Sequence, residues 1–292
     1  MRRLHLLTSN NMESISQTDM EMLEAIMDLN LEISIEEQND VNNEIIPNNS
    51  ESYMVNEETS RFSSAIWFEK IKTLTPIIAG VGGIGSYVVY LMSRLHPAKI
   101  YIYDPDTVET VNMSGQLYGS NDVGNTKVFA IRNMVYNYSN YYNVVSYDTR
   151  YTSSSVNGPI MICGFDNMDA RRTFFDRWIS YVHNLPEKER KNCLFIDGRL
   201  AAEELQVLSI QGNDDRAIEM YEKEWLFTDA EAETTVCSYK QTSFMANMIA
   251  SYMVNVFVNF AANISDEAPI IPRDVPFLIT YNAENMFTNI LM

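Results

Sequence analysis

A glycine-rich turn between two apolar segments is the feature that most restricts how this chain can fold. Residues 76–86 read PIIAGVGGIGS, in which Gly80, Gly82 and Gly85 have the spacing GxGxxG and Gly83 adds a fourth glycine. The apolar run before the turn predicts a buried parallel strand, and the apolar spacing after it predicts a helix. Such a turn lets a phosphate approach the backbone and the N–H groups of the new helix. We therefore expect a nucleotide site here; a tight turn with no ligand is the alternative.

The second predicted strand ends in an acid. Residues 99–103 read KIYIY and are followed by Asp104, which lies 104 − 85 = 19 residues beyond the last glycine of the turn. In dinucleotide-binding folds, a carboxylate at this place accepts hydrogen bonds from ribose hydroxyls. Up to this point, the pattern fits an NAD-dependent oxidoreductase as well as an ATP-binding enzyme.

Three further motifs follow in order and separate these alternatives. Residues 104–116 read DPDTVETVNMSGQ, residues 124–127 read GNTK, and the strand near residue 163 leads into FDN at 165–167. Together with the glycine turn, these motifs resemble the ThiF/MoeB/HesA superfamily, the adenylate-forming activators related to ubiquitin-activating enzymes. The resemblance extends from about residue 60 to the C-terminus and is less sharp in its later part.

This resemblance implies an enzyme that binds ATP with magnesium and transfers AMP to a carboxylate, with release of pyrophosphate. The usual acceptor is the C-terminus of a small ubiquitin-like protein or a peptide, and a homodimer is the family expectation. Attack on the α-phosphorus needs alignment and charge neutralisation more than covalent help, so that lysines, arginines and a metal-holding acid should dominate the site.

The resemblance also implies roles for individual residues of this chain. Asp104 would bind the ribose, Asp106 would belong to the same nucleotide site, Asn112 and Lys127 would engage the phosphates, and Asp166 would hold magnesium. Each residue also has a simpler interpretation, in which the acids cap turns and Lys127 is a solvated helix residue.

Two arginines of the family pattern are absent from this chain. Gly115 stands three residues after Asn112 where the family has arginine, and Ser64 replaces the second arginine of the family's R-Y-x-R-Q segment. Neither residue can replace a bidentate guanidinium. Either another arginine substitutes or adenylation is slow or absent, which leaves a non-catalytic nucleotide-binding or structural protein as an alternative. The candidates for substitution are Arg61, Arg132, Arg171 and Arg172.

The three cysteines divide into two predicted packing residues and one candidate nucleophile. Cys163 and Cys193 lie in apolar strands and are expected to be buried. Cys237, in TTVCSYKQ before a long helical pattern, resembles the C-T-x-R segment of thioester-forming activators; Lys240 and a helix N-terminus would favour its thiolate. A partly buried residue at a helix start is the alternative. Because no CxxC pair occurs, we expect no structural zinc, and so few cysteines fit a reducing, cytoplasmic setting.

Charge and composition divide the chain into two predicted regions. The formal net charge is −18, and residues 1–60 hold thirteen acids against two bases. We expect 1–60 to be an acidic extension with an amphipathic helix near 18–30 and a polar linker over 39–52, and 61–292 to be the nucleotide-binding domain. The acidic balance argues against a nucleic-acid partner, which would require a basic face.

The remaining patterns predict an α/β fold, a Rossmann-like mixed sheet flanked by helices. Its N-terminal half is parallel, with strands at 144–147, 159–163 and 193–197; its C-terminal half is antiparallel, with strands at 205–210 and 276–281. Residues 244–262 carry no charge but have a stripe of polar residues four apart, which favours a buried helix with a polar seam over a membrane span. This stripe comprises Asn247, Ser251, Asn255 and Asn259.

Overall fold

The computed structural model describes residues 58–201, 203–227 and 241–292, which form an eight-stranded sheet flanked by helices. The strands are β1 (Ile77–Ala79), β2 (Ile100–Tyr103), β3 (Val144–Tyr147), β4 (Ile160–Cys163), β5 (Leu194–Ala201), β6 (Glu204–Gln211), β7 (Leu278–Asn282) and β8 (Phe287–Leu291). The α-helices are α1 (Phe68–Ile71), α2 (Gly83–Ser93), α3 (Lys127–Ser139), α4 (Met168–His183), α5 (Glu187–Arg190), α6 (Asp215–Met220) and α7 (Ser243–Asn263). Short 3₁₀ turns cover Thr110–Ser114 and Ser120–Asp122, and a π-helical turn covers Tyr221–Trp225.

The sheet has the order β3-β2-β1-β4-β5-β6-β7-β8. Strands β1 to β5 pair in parallel, whereas β6, β7 and β8 extend the sheet in antiparallel pairs. Ile78 of β1 is in register with Ile102 of β2 on one side and with Ile162 of β4 on the other. The carboxyl ends of these three strands therefore meet at one edge. Strands β2 and β3 are added on one side of β1 and β4 on the other, so the strand order reverses at β1, where open α/β sheets bind ligands.

Successive residues of the parallel strands face two separate cores. Ile78 and Ile162 pack into a cluster with residues of α2, α3 and α7, while Ile77 and Met161 pack into a second cluster with Trp178 of α4. Both clusters are almost fully buried. A sheet covered on both faces needs apolar residues at consecutive positions, which explains why these strands read as continuous apolar runs.

The fold confirms the predicted mixed α/β sheet and extends it at two places. The strand predicted at 193–197 continues to Ala201, and β8 was not predicted at all. All five residues of β8 are exposed, so that neither face carries the alternating pattern by which a half-buried strand is recognised.

Helix α7 confirms the helix predicted over 244–262 but corrects the placement of its polar seam. The helix is long and apolar enough by length and composition to cross a membrane, and half of that stretch is buried against α2, β5 and β6. Asn247, Ser251 and Asn255 face outward, whereas Asn259 donates a hydrogen bond to the Asp274 carbonyl oxygen at 2.9 Å. The apolar face of α7 is thus a core face, and its polar stripe is an exposed one.

Several sequence predictions lie outside the described residues. These are the amphipathic helix near 18–30, the linker over 39–52, and Cys237 with Lys240. The boundary between an extension at 1–60 and a domain at 61–292 therefore stays a prediction.

Candidate nucleotide site

A cleft of about 1300 Å³ lies at the carboxyl ends of the parallel strands. It brings together residues that are far apart in sequence, from the glycine turn after β1 to the residues that follow β2 and β4. The predicted site residues that line it are Gly80, Gly82, Gly83, Asp104, Asp106, Asn112, Lys127 and Asp166. Gly85, the remaining predicted glycine, is buried and does not line the cleft.

The glycine turn is held together by close backbone approaches. Gly80 has φ +80°, and a Cβ there would lie 2.8 Å from the Gly164 carbonyl group. A Cβ on Gly85 would collide with the Gly80 carbonyl oxygen, so Gly85 permits the packing of α2 on the turn. Helix α2 begins after Gly82 with neither a side-chain cap nor an acid in its first turn. Its first N–H groups and its dipole therefore remain suited to an anion.

Asp104 is a buried carboxylate that fixes the turn. Its Oδ2 accepts a hydrogen bond from the Val81 N–H at 2.8 Å, and its Oδ1 accepts one from the Asp106 N–H at 2.9 Å. Burial raises the pKa of Asp104, while Lys127 and these two N–H groups oppose the rise. The capping interpretation thus describes part of its role. Because each carboxylate oxygen has two lone pairs, both oxygens keep acceptor capacity for ribose hydroxyls.

Lys127 begins α3 and points its ammonium group at Asp106. The Nζ to Oδ2 distance is 2.9 Å, and the Lys127 side chain is 8% exposed whereas that of Asp106 is 61% exposed. The interpretation of Lys127 as a solvated helix residue is therefore wrong. A lysine is buried only with a partner for its charge, and here that partner stands on the cleft wall.

Asn112 and Asp166 line the cleft from two other loops. The Oδ1 of Asn112 accepts the Glu109 N–H at 2.8 Å within its 3₁₀ turn. Asp166 follows β4 and is exposed. Among the described residues, its carboxylate accepts a hydrogen bond only from the Asn167 Nδ2, at 3.3 Å.

The surroundings of Asp166 bear on the predicted magnesium. Within residues 58–201, 203–227 and 241–292, no group of three or more His, Cys, Asp or Glu side chains is arranged to hold a metal. Magnesium in nucleotide sites is bound by one or two carboxylates together with phosphates and water. A single open carboxylate at the end of β4 fits that donor set.

Among the four arginines predicted to replace the missing ones, Arg171 alone lines the cleft. Its guanidinium is buried and donates to Asp197 and to the Phe165 and Gly198 carbonyl oxygens. Burial lowers the pKa of Arg171. Because these groups occupy its donors, Arg171 stabilises the fold and does not replace a missing phosphate-binding arginine.

The other three candidates do not line the cleft. Arg172 donates to the Leu226 carbonyl oxygen, Arg132 lies 3.3 Å from the Ser146 Oγ, and Arg61 is exposed.

Two cleft arginines, Arg150 and Arg199, were missed by sequence reasoning. Arg150 follows β3, is exposed, and has no hydrogen bond or ion pair with any part of the chain that the structure describes. Arg199 lies in β5, where its Nε donates to Asp197 at 2.8 Å and its guanidinium faces the Trp225 and Phe227 rings. Their position in the sequence could have identified them, since Arg150 and Arg199 lie near the carboxyl ends of parallel strands.

The described cysteines are packing residues, as predicted. Cys163 and Cys193 are buried, and burial raises the pKa of Cys193 to about 11 and also raises that of Cys163. Neither thiol is disposed to ionise near neutral pH, so neither is suited to be a nucleophile. Cys237, the candidate nucleophile, lies outside the described residues.

Curated relatives match a short stretch of the chain. Ubiquitin-like modifier-activating enzyme 5 of Caenorhabditis elegans is 38% identical over 65 residues, which is 22% of this chain and 16% of that enzyme. The enzyme of the same name from Gallus gallus is 36% identical over 70 residues, covering 24% of this chain and 18% of the relative. The chain thus aligns with less than a fifth of the length of these relatives.

Solved structures match over much more of the chain. The crystal structure of PaaA has a TM-score of 0.60 at 14% identity and covers 99% of this chain and 85% of its own. Escherichia coli MccB with ATP has a TM-score of 0.55 at 14% identity and covers 84% of this chain and 73% of its own. Identities this low show a shared fold. The ThiF family pattern itself matches residues 56–289, and the chain therefore belongs to the ThiF family.

Proposed function

We propose that this protein is an ATP-dependent adenylyltransferase that activates a carboxylate, the C-terminus of a small ubiquitin-like protein or of a peptide. The observation that carries the proposal is the arrangement around Asp104, whose carboxylate ties the glycine turn to the end of β2 and stands beside Lys127 in the cleft. This arrangement offers an acid for a ribose and a cation for phosphates within one cavity.

Similar proteins support the substrates named in this proposal. The sequence relatives are named as activating enzymes for a ubiquitin-like modifier. MccB was crystallised with ATP and, in another structure, with the ATP analogue AMPCPP and MccA. A nucleotide together with a carboxylate-bearing macromolecule or peptide is accordingly the substrate pair that we assign to this chain.

In the proposed reaction, an oxygen of the substrate carboxylate attacks the α-phosphorus of ATP. A bond forms between that oxygen and phosphorus, the bond to the bridging oxygen of the β-phosphate breaks, and pyrophosphate leaves with its electron pair. Asp104 would hold the ribose hydroxyls, Lys127 would neutralise charge on the phosphates, and Asn112 would donate its Nδ2 to them. The N-terminus of α2 would stabilise the negative charge that develops in the transition state.

Magnesium would be held by Asp166 and by phosphate oxygens, and it would supply further charge neutralisation at the phosphates. Asp166 itself would fix the position of the phosphates relative to the end of β4. This role follows from the open carboxylate described above, which has few competing hydrogen bonds.

Three finer features of the function also remain proposals. A thioester at Cys237 would follow adenylation, a homodimer would complete the assembly, and a reducing cytoplasm would keep the three cysteines as thiols. Their support is, in turn, the resemblance of the segment around Cys237 to thioester-forming activators, the expectation for the family, and the small number of cysteines. Light scattering of the purified protein tests the dimer directly.

The experiment that tests the adenylyltransferase is ATP–pyrophosphate exchange with a panel of peptides and small proteins. Each acceptor is offered with a free C-terminal carboxylate and, as its matched control, with a C-terminal amide. We expect exchange with the free carboxylate of one acceptor and none with its amide, because the amide cannot attack phosphorus as an anion. Exchange that ignores this difference would contradict carboxylate activation.

Binding data separate the alternatives. Tight ATP binding with no exchange in the presence of any acceptor would favour a non-catalytic nucleotide-binding protein. The reason for considering this alternative is that Ser64 and Gly115 stand where the family has arginines. Binding of NAD but not of ATP would favour an oxidoreductase.

A further inference from the structure

The side chain of Gln241 lies on the first residue of α2, inside the cleft. Gln241 precedes α7 by two positions and lines the same cavity as the glycine turn and Asp104. Its terminal amide covers Gly83, since a Cβ on Gly83 would collide with both Oε1 and Nε2 and would lie 2.5 Å from Cδ. An uncharged hydrogen-bonding group is thereby placed at the helix end that suits an anion.

The same side chain also occupies the space next to Gly115. A Cβ on Gly115 would lie 3.0 Å from Cγ of Gln241 and 3.3 Å from its Nε2, which is closer than side chains normally pack. Gln241 therefore runs between Gly83 and Gly115 and uses the volume that both glycines leave open. A side chain at position 115 would therefore have to shift Gln241 from its present position.

A second amide, that of Gln116, lies beside the turn at Gly82. Gln116 lines the cleft, and a Cβ on Gly82 would lie 3.9 Å from both atoms of its terminal amide. The Oε1 of Gln116 is buried and has no hydrogen-bond partner among the described residues. Buried polar atoms are nearly always paired, and rotation of this amide by half a turn would present its N–H groups at the same place. In that orientation, a donor without a partner among the described residues would lie beside the glycine turn, where an anion would bind.

From these contacts we propose that Gln241 is a phosphate-positioning residue, whose side chain occupies the space that Gly115 leaves free and whose Nε2 donates to the triphosphate. Gly115 and Gln241 then act together: glycine at 115 leaves room for the Gln241 side chain, whose amide replaces the guanidinium group of the family arginine as the phosphate donor. This inference rests on the proposed ATP site. It adds that the site recognises phosphate here through a neutral donor.

The test measures ATP and adenosine affinity, by calorimetry and by competition, for Gln241→Ala in the full-length protein. A hydrogen bond to a charged group contributes roughly 1.5 kcal/mol or more, so we expect ATP to bind about tenfold more weakly. Adenosine affinity should be unchanged, because the amide contacts only phosphate. Gln211→Ala in β6, outside the cleft, serves as the matched glutamine control and should leave both affinities unaltered.

The steric half of the inference is tested by Gly115→Arg, alone and combined with Gln241→Ala. We expect the double variant to bind ATP more tightly than either single variant, since Gln241→Ala removes the Cγ and Nε2 atoms that lie against position 115 and leaves there the backbone carbonyl oxygen at 3.3 Å. Unchanged ATP affinity in Gln241→Ala, or a double variant whose loss equals the product of the single losses, overturns the inference and leaves the ATP site standing. Wild-type protein that binds no ATP overturns both.

Discussion

Replacing Asp197 by asparagine should destabilise the protein strongly, because one buried carboxylate holds two arginines. Asp197 has no exposed surface and accepts hydrogen bonds from Arg171, from Nε of Arg199 at 2.8 Å and from the Tyr221 hydroxyl at 2.9 Å. The Arg171 and Arg199 side chains are themselves 7% and 12% exposed. An amide of the same shape keeps some hydrogen bonds but leaves both guanidinium groups without a buried counter-charge.

The size of the effect follows from these contacts. Breaking a buried ion pair by removing one partner costs about 3–5 kcal/mol. Arg171 keeps the Phe165 and Gly198 carbonyl oxygens and Arg199 keeps that of Trp225, which places the expected loss near the lower end, at about 3 kcal/mol. For a domain of this size, 1 kcal/mol shifts the melting temperature by roughly 2–4 °C, so we expect a decrease of roughly 6–12 °C.

Urea unfolding and thermal unfolding, followed by circular dichroism, measure the loss. Asp148→Asn is the matched control, since Asp148 is exposed and makes no hydrogen bond or ion pair within the described residues. If the loss arises because the buried arginines lack a counter-charge, Arg199→Met should lower the free energy of unfolding less in the Asp197→Asn background than in the wild type. The coupling energy should be at least about 0.5 kcal/mol. Additive losses, or a loss below about 1 kcal/mol in Asp197→Asn, would refute the reasoning.

Three further predictions concern the proposed chemistry. Lys127→Met should weaken ATP binding by roughly tenfold to a hundredfold, because a charge-assisted hydrogen bond to phosphate is lost, and calorimetry measures it; affinity equal to wild type would remove Lys127 from the phosphate site. Asp166→Ala should abolish metal-dependent pyrophosphate exchange, with the exposed Asp215→Ala as the control that retains it; exchange that survives in Asp166→Ala would assign the metal elsewhere. Cys237→Ala should leave exchange intact and eliminate any thiol-sensitive conjugate with the acceptor, and a conjugate that persists would exclude Cys237 as its attachment point.

The sequence predicted the parallel half of the fold well because local patterns determine it. Consecutive apolar residues, a GxGxxG turn and a strand-end acid each depend on neighbours in sequence, and β1, β2 and β4 with Gly80 and Asp104 lie where these patterns place them. Strand β8 was missed, since its residues are exposed on both faces and its pairing with β7 is set by the sheet edge.

Predictions at the site failed where the structure depends on long-range pairing. Arg171 reads as a free cation in sequence, and its partner Asp197 is 26 residues away. Asp197 pairs with Cys163 of β4, the strand that leads into α4, and this brings it beside Arg171. Gln241 and Gly115 are likewise distant in sequence and adjacent in space. Sequence spacing identifies which residues reach the carboxyl edge of the sheet, but which of their charges remain free is decided only when the strands pair.

The pairing of charges within the cleft determines what ATP would have to displace. Arg171 and Arg199 are held by Asp197, and Lys127 is held by Asp106, whose carboxylate is mostly exposed. Breaking the buried ion pairs of Asp197 costs much free energy. The Lys127–Asp106 ion pair is weaker, because water solvates the exposed Asp106 carboxylate. Under the proposed function, the triphosphate would therefore replace Asp106 as the partner of the Lys127 ammonium group, while the ion pairs of Asp197 with Arg171 and Arg199 would stay intact.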